Sequence, residues 1–134
     1  MFYIDANVFL YPVLYEESDR NAANARRILL KIASGEIDAA TSVLSWDEFV
    51  WVVRKCIDTE TSQKEGRKFL SFPNLHFLRI DEYTLEEAQR ITEKYGLKPR
   101  DAVHIACALK NNIKEIISND SDFDKVKEIK RTKI

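Results

Sequence analysis

Glycine, proline and cysteine are all scarce: three, three and two in 134 residues. Gly35, Gly66 and Gly96 are spread evenly along the chain, so no glycine-rich loop exists to cradle a phosphate, which excludes the usual ATPase and NAD-dependent classes. Cys56 and Cys107 lie far apart in apolar stretches. They predict buried thiols in a reducing cytosol, not a disulfide framework or a zinc site. No apolar run reaches the ~18 residues of a membrane span, and Met1-Phe2-Tyr3-Ile4-Asp5 has neither the basic region nor the cleavage site of a leader. The expectation is a cytoplasmic protein without membrane contact. Charge of one sign is missing too: 21 Lys and Arg stand against 22 Asp and Glu, for a net charge of −1. A protein that gripped nucleic acid by positive field alone would be more basic.

The chain does have the makings of a core. Hydrophobic residues make up 45%, and the length suits one domain, residues 1–134. Short apolar runs at Phe2–Asp5, Ile37–Thr41, Leu75–Ile80 and Glu115–Ser118 predict strands, with Glu128–Ile134 as a last edge strand. Helices are predicted between them. The first runs from Asn7 to about Glu16 with Pro12 near its first turn. The second is capped by Ser18 or Asp19 and stopped by Gly35. Others cover Ser45–Ile57, Thr61–Phe72, Thr84–Tyr95 (capping box Thr84/Glu87, stop at Gly96) and Arg100–Asn111, opened by Pro99. A helical turn is expected at Asp122–Val126. This alternation predicts a mainly parallel five-stranded sheet with helices on both faces.

The acids carry the functional signal. Asp5 ends the first strand, Glu48 is placed in the first turn of the helix after the second, Asp101 opens the Pro99 helix, and Asp120 and Asp122 follow the Glu115–Ser118 strand. In an open parallel sheet these positions share one edge, where ligands bind. Crowded carboxylates repel unless a cation neutralises them, and hard oxygen donors select Mg²⁺ or Mn²⁺. Such a site suits metal-assisted phosphodiester hydrolysis. Taken singly, each acid but Asp5 has a plainer role. Ser45-x-x-Glu48 matches a capping box, Asp101 favours a helix N-terminus, and Asp120 and Asp122 suit a turn. Asp5 interrupts an apolar stretch, where an unpaired charge is costly.

Three segments resemble the PIN domain family, and within it the single-domain VapC-like toxins. Ile4-Asp5-Ala6-Asn7-Val8-Phe9-Leu10 is similar to the family's opening D-x-N strand, Arg100-Asp101-Ala102-Val103-His104-Ile105-Ala106 to its D-A-x-x-x-A helix, and Ser118-Asn119-Asp120-Ser121-Asp122-Phe123 to its closing [ST]-N-D-x-D-F loop. The resemblance implies a three-layer α/β/α PIN-like fold and a Mg²⁺- or Mn²⁺-dependent ribonuclease. Asp5, Glu48, Asp101 and Asp120 would be catalytic and metal-binding, with Asp122 a fifth ligand. Asn7 and Asn119 would support them, and Thr41 or Ser42 would offer a hydroxyl. It also implies a homodimer held inactive by a small antitoxin. The alternatives are a PIN nuclease of RNA processing without an antitoxin, and an inactive PIN-like binding module. A haloacid-dehalogenase-like phosphatase would need a second acid where Asn7 stands. A receiver would need its aspartate at the end of the third strand, where Asp81 has no acidic pair upstream.

The remaining candidates have two readings each. His104 lies one turn from Asp101 and could reach the site, but a satisfied structural histidine is the expected reading. His76 falls outside any motif. Arg100 suits a substrate phosphate or a local ion pair. The Lys125–Ile134 tail suits guidance of RNA or a solvated edge strand. Phe9, Tyr11, Tyr15, Trp46 and Trp51 either fill the core or form an apolar face for a partner helix or a second copy.

Overall fold

The computed structural model describes residues 1–134. Five strands alternate with helices: β1 (Phe2–Ile4), α1 (Ala6–Leu14), α2 (Arg20–Ala33), β2 (Ala39–Ser42), α3 (Val43–Cys56), α4 (Thr59–Leu70), β3 (Leu75–Leu78), α5 (Glu82–Tyr95), α6 (Pro99–Lys110), β4 (Glu115–Ile117), a 3₁₀ turn (Ser121–Lys125) and β5 (Lys130–Thr132). The sheet order is β3-β2-β1-β4-β5, and every pairing is parallel. The chain winds outward from β1 to β3, crosses back through α5 and α6, and continues at β4. The topological switch point therefore lies between β1 and β4, and the crevice beyond their carboxyl ends is where such sheets bind ligands.

Strand side chains alternate between two cores. Tyr3, Ala40 and Ile116 pack with α5 and α6, whereas Ile4, Ala39 and Ile117 pack with α1 to α4. This is the period of two expected of strands buried on both faces. On the second face Phe69 of α4 joins three elements. Its ring meets Phe9 edge-on at 4.7 Å and stacks on Phe49 at 5.0 Å.

Several local expectations are corrected. Asp81 caps α5, in a reciprocal capping box with Thr84, so the helix begins earlier than the Thr84/Glu87 reading and Glu87 instead pairs with Arg90. Helix α3 starts at Val43, which places Glu48 in its second turn and makes Ser45 a buried helical residue, not a cap. Pro12 lies late in α1; it has no N–H to give, and the helix ends two residues later. Cys56 is exposed at the end of α3, whereas Cys107 is buried, and burial pushes its thiol up to about 11. No helix is long and apolar enough to cross a membrane.

Candidate metal centre

The sheet's carboxyl edge gathers five acids from four segments. Asp5 follows β1 directly and is buried. Its Oδ2 accepts a hydrogen bond from the Ser118 hydroxyl at 2.5 Å. The Ser118 oxygen also accepts the Asp120 amide at 3.0 Å and the Asn7 side-chain amide at 3.3 Å. One hydroxyl at the end of β4 thus ties the β1 acid to the β4 acid across the switch point. Asp120 then caps the 3₁₀ turn by accepting the Asp122 amide at 2.9 Å. Arg131 of β5 steadies that turn: its guanidinium forks onto Asp124, with both contacts at 2.8 Å, and reaches the Ser118 carbonyl at 3.0 Å.

Two triplets of potential ligand atoms result. Those of Asp5, Glu48 and His104 lie within 4.8 Å of one another, and so do those of Asp101, Asp120 and Asp122. The triplets interact. The Asp101 carboxyl is pushed up to about 6 by burial, then by the charges of Asp120 and Asp5. Asp5 is also raised, chiefly by burial, although the His104 charge and the Ser118 hydrogen bond oppose the rise. Burial would lower the pKa of His104, but Glu48, Asp5 and Asp101 outweigh it and raise it. These shifts mark negative charge that the protein does not neutralise by itself.

The donors fit a hard divalent cation. Five carboxylates converge without a thiolate, and the Asn7 side-chain oxygen is buried beside them with no hydrogen-bond partner. Asp47, next to Glu48 in sequence, is exposed, whereas Glu48 is half-buried and contacts His104 Nε2. Asn119 turns away from the acids. It donates to Tyr11 and Asn21, accepts the Ile134 amide at 2.9 Å, and so anchors the end of the chain. Thr41 donates to the Ile4 carbonyl at 2.8 Å and bonds Ser45 Oγ at 2.7 Å, fixing the start of α3 against β1. The Ser42 hydroxyl is buried without a partner.

Sequence reasoning misses one contributor, Ser118, which stands inside the closing motif. His104 fills both of its readings, a satisfied buried histidine and a wall of the acidic site that its i,i+3 spacing from Asp101 allows.

A PIN domain family model matches residues 2–129, and the chain belongs to that family. No curated protein matches it in sequence. Among solved structures it is similar to Mycobacterium tuberculosis VapC20, a sarcin-ricin loop cleaving toxin (TM-score 0.75, 12% identity, covering 92% of this chain and 93% of that one). It also resembles VapBC2 from Rickettsia felis bound to a promoter DNA fragment (TM-score 0.74, 18% identity, 99% and 98% covered). A third similar structure is DNA-bound VapBC from Salmonella typhimurium (TM-score 0.71, 16% identity, 98% and 96% covered). At these identities the likeness establishes a shared fold.

Proposed function

We propose that this protein is a Mg²⁺- or Mn²⁺-dependent endoribonuclease and the toxin of a toxin–antitoxin pair. The observation that carries the reading is the convergence of Asp5, Glu48, Asp101, Asp120 and Asp122 on the switch-point crevice, with two of these carboxyls raised by burial and mutual repulsion. Asp5, Asp101 and Asp120 would hold the cation, with Glu48 and Asp122 completing its surroundings. When bound, the cation would activate water and offset the charge that develops on the scissile phosphate. Ser118, itself contacted by Asn7, holds the Asp5 carboxylate, and the Asp122 amide holds that of Asp120, so these two donors are preset and lose little freedom on binding. Arg100, exposed beside Asp101, is placed to meet a neighbouring phosphate of the RNA.

Regulation by a small antitoxin and assembly as a homodimer rest on the toxin–antitoxin complexes that share the fold and on exposed apolar side chains. Trp46 and Trp51 of α3 and Leu70 of α4 are exposed, with Tyr15 exposed after α1, whereas Phe9 is consumed by the core. The aromatic set therefore divides between the two roles considered for it.

The direct test is cleavage of a mixed RNA pool with Mg²⁺ or Mn²⁺ by the wild type and by Asp5→Asn. The expected result is loss of cleavage in the variant with an unchanged or higher melting temperature, because the amide oxygen still accepts from Ser118 while a repelling charge is gone. A fully active Asp5→Asn protein would sink the reading.

A further inference from the structure

The acidic crevice contains one nitrogen base, and its ring can be either a metal ligand or a support. We infer that His104 is not a ligand but a positioning residue, a strut that holds the Glu48 carboxylate toward the other acids and is itself backed by Tyr3. This inference rests on the metal-site reading above and specifies how that site is assembled.

Both ring nitrogens are already engaged. Nδ1 lies 2.5 Å from the Tyr3 hydroxyl, and Nε2 contacts Glu48 Oε1. A lone pair on Nε2 would face the lone pairs of a carboxylate, so Nε2 carries the proton and donates it to Glu48. In the neutral ring the only lone pair is then on Nδ1, pointing at Tyr3, which is completely buried within the sheet. Neither nitrogen has a lone pair free to face the crevice.

Tyr3 cannot yield this place easily. Its ring is part of the β1 face packed against α5 and α6, and it meets the imidazole edge-on with centroids 5.6 Å apart. Glu48, in contrast, needs a restraint. Its side chain is long and partly exposed, and it feels both Asp5 and Asp101. Repulsion would swing it toward solvent. The Thr41–Ser45 bond fixes the helix beneath it, but not its torsions. The chain Tyr3–His104–Glu48 does, and it occupies one carboxylate oxygen while leaving Oε2 without a protein partner.

The test uses Mn²⁺ and the full chain, with affinity read by calorimetry and ligation by pulsed electron paramagnetic resonance. His104→Leu is expected to weaken Mn²⁺ about ten-fold, the usual loss for an outer partner of a ligand. His104→Gln, which restores a donor near the Nε2 position, should recover part of it. In a Glu48→Ala background His104→Leu should cost nothing further, because the strut has no side chain left to hold. Tyr3→Phe removes only the backing hydroxyl and is expected to give a smaller loss. Melting curves for each variant separate folding from binding. Nitrogen coupling characteristic of an imidazole bound to Mn²⁺ in the wild type would overturn the inference. So would a His104→Leu protein with full affinity, or an equal loss with and without Glu48. Failure of the wild type to bind Mn²⁺ at all would instead overturn the metal-site reading on which the inference stands.

Discussion

Asp101 and Asp5 bind protons more tightly in the folded chain than in the unfolded one, and that difference ties stability to pH. Asp101 is pushed up to about 6, and Asp5 is also raised. Unfolded, both titrate near 4. Between those values the native state binds more protons than the unfolded state, so stability is greatest below the unfolded pKa and falls as pH rises through the folded one. Without divalent ions the melting temperature should therefore be lower at pH 7.5 than at pH 5, as far as these two groups decide it. Adding Mn²⁺ should raise it more at pH 7.5, where the carboxylates are ionised and ready to bind. Thermal melts at both pH values with EDTA and with Mn²⁺ check this. A larger Mn²⁺ effect at pH 5 would mean that these groups are not the ligands. Individual acids were legible in the sequence because a charge after an apolar strand is conspicuous. The parts of Ser118 and His104 were not, because each is defined by partners more than fifty residues away.

Helix packing sets a different prediction. Gly66 of α4 is buried against α3, and a β-carbon there would stand 2.8 Å from Val50 Cγ2 and 3.4 Å from Trp46 Nε1. Gly66→Ala gains about 1 kcal/mol of helix propensity but forces a stiff β-branched neighbour to move. Overpacking of this kind typically costs about 1–3 kcal/mol. The variant should be destabilised by roughly 1 kcal/mol, and Val50→Ala in the same chain should relieve much of that. Urea titrations of the single and double variants measure both effects; additive losses would show that the two side chains do not meet. The close approach could not be read in advance, because a lone glycine in a helical pattern has several meanings. Element existence was legible throughout from periodicity and caps. The boundaries moved where a nearby residue competed for the cap, as Asp81 did with Thr84.

Across the whole molecule the balanced charge leaves little long-range repulsion between copies. The exposed Trp46, Trp51 and Leu70 offer apolar area for association. If the protein pairs as proposed, sedimentation at micromolar concentration should show a dimer. Replacing Trp51 with a charged residue such as Glu should shift it toward monomer with the helical circular-dichroism signal retained, and should remove the dependence of the melting point on protein concentration. A strict monomer in the wild type would remove the homodimer from the proposal while leaving the metal centre untouched.

Composition and local pattern were sufficient to determine the class of fold and the parallel sheet and to single out the candidate acids, because strand alternation, helix caps and a charge at the end of an apolar run are properties of neighbouring residues. The sheet order, the switch point between β1 and β4 and the Tyr3–His104–Glu48 chain were decided only by tertiary structure. Each depends on which distant segments share one crevice. A buried hydroxyl or imidazole takes its role from the partner that satisfies it, and that partner has no fixed distance along the chain.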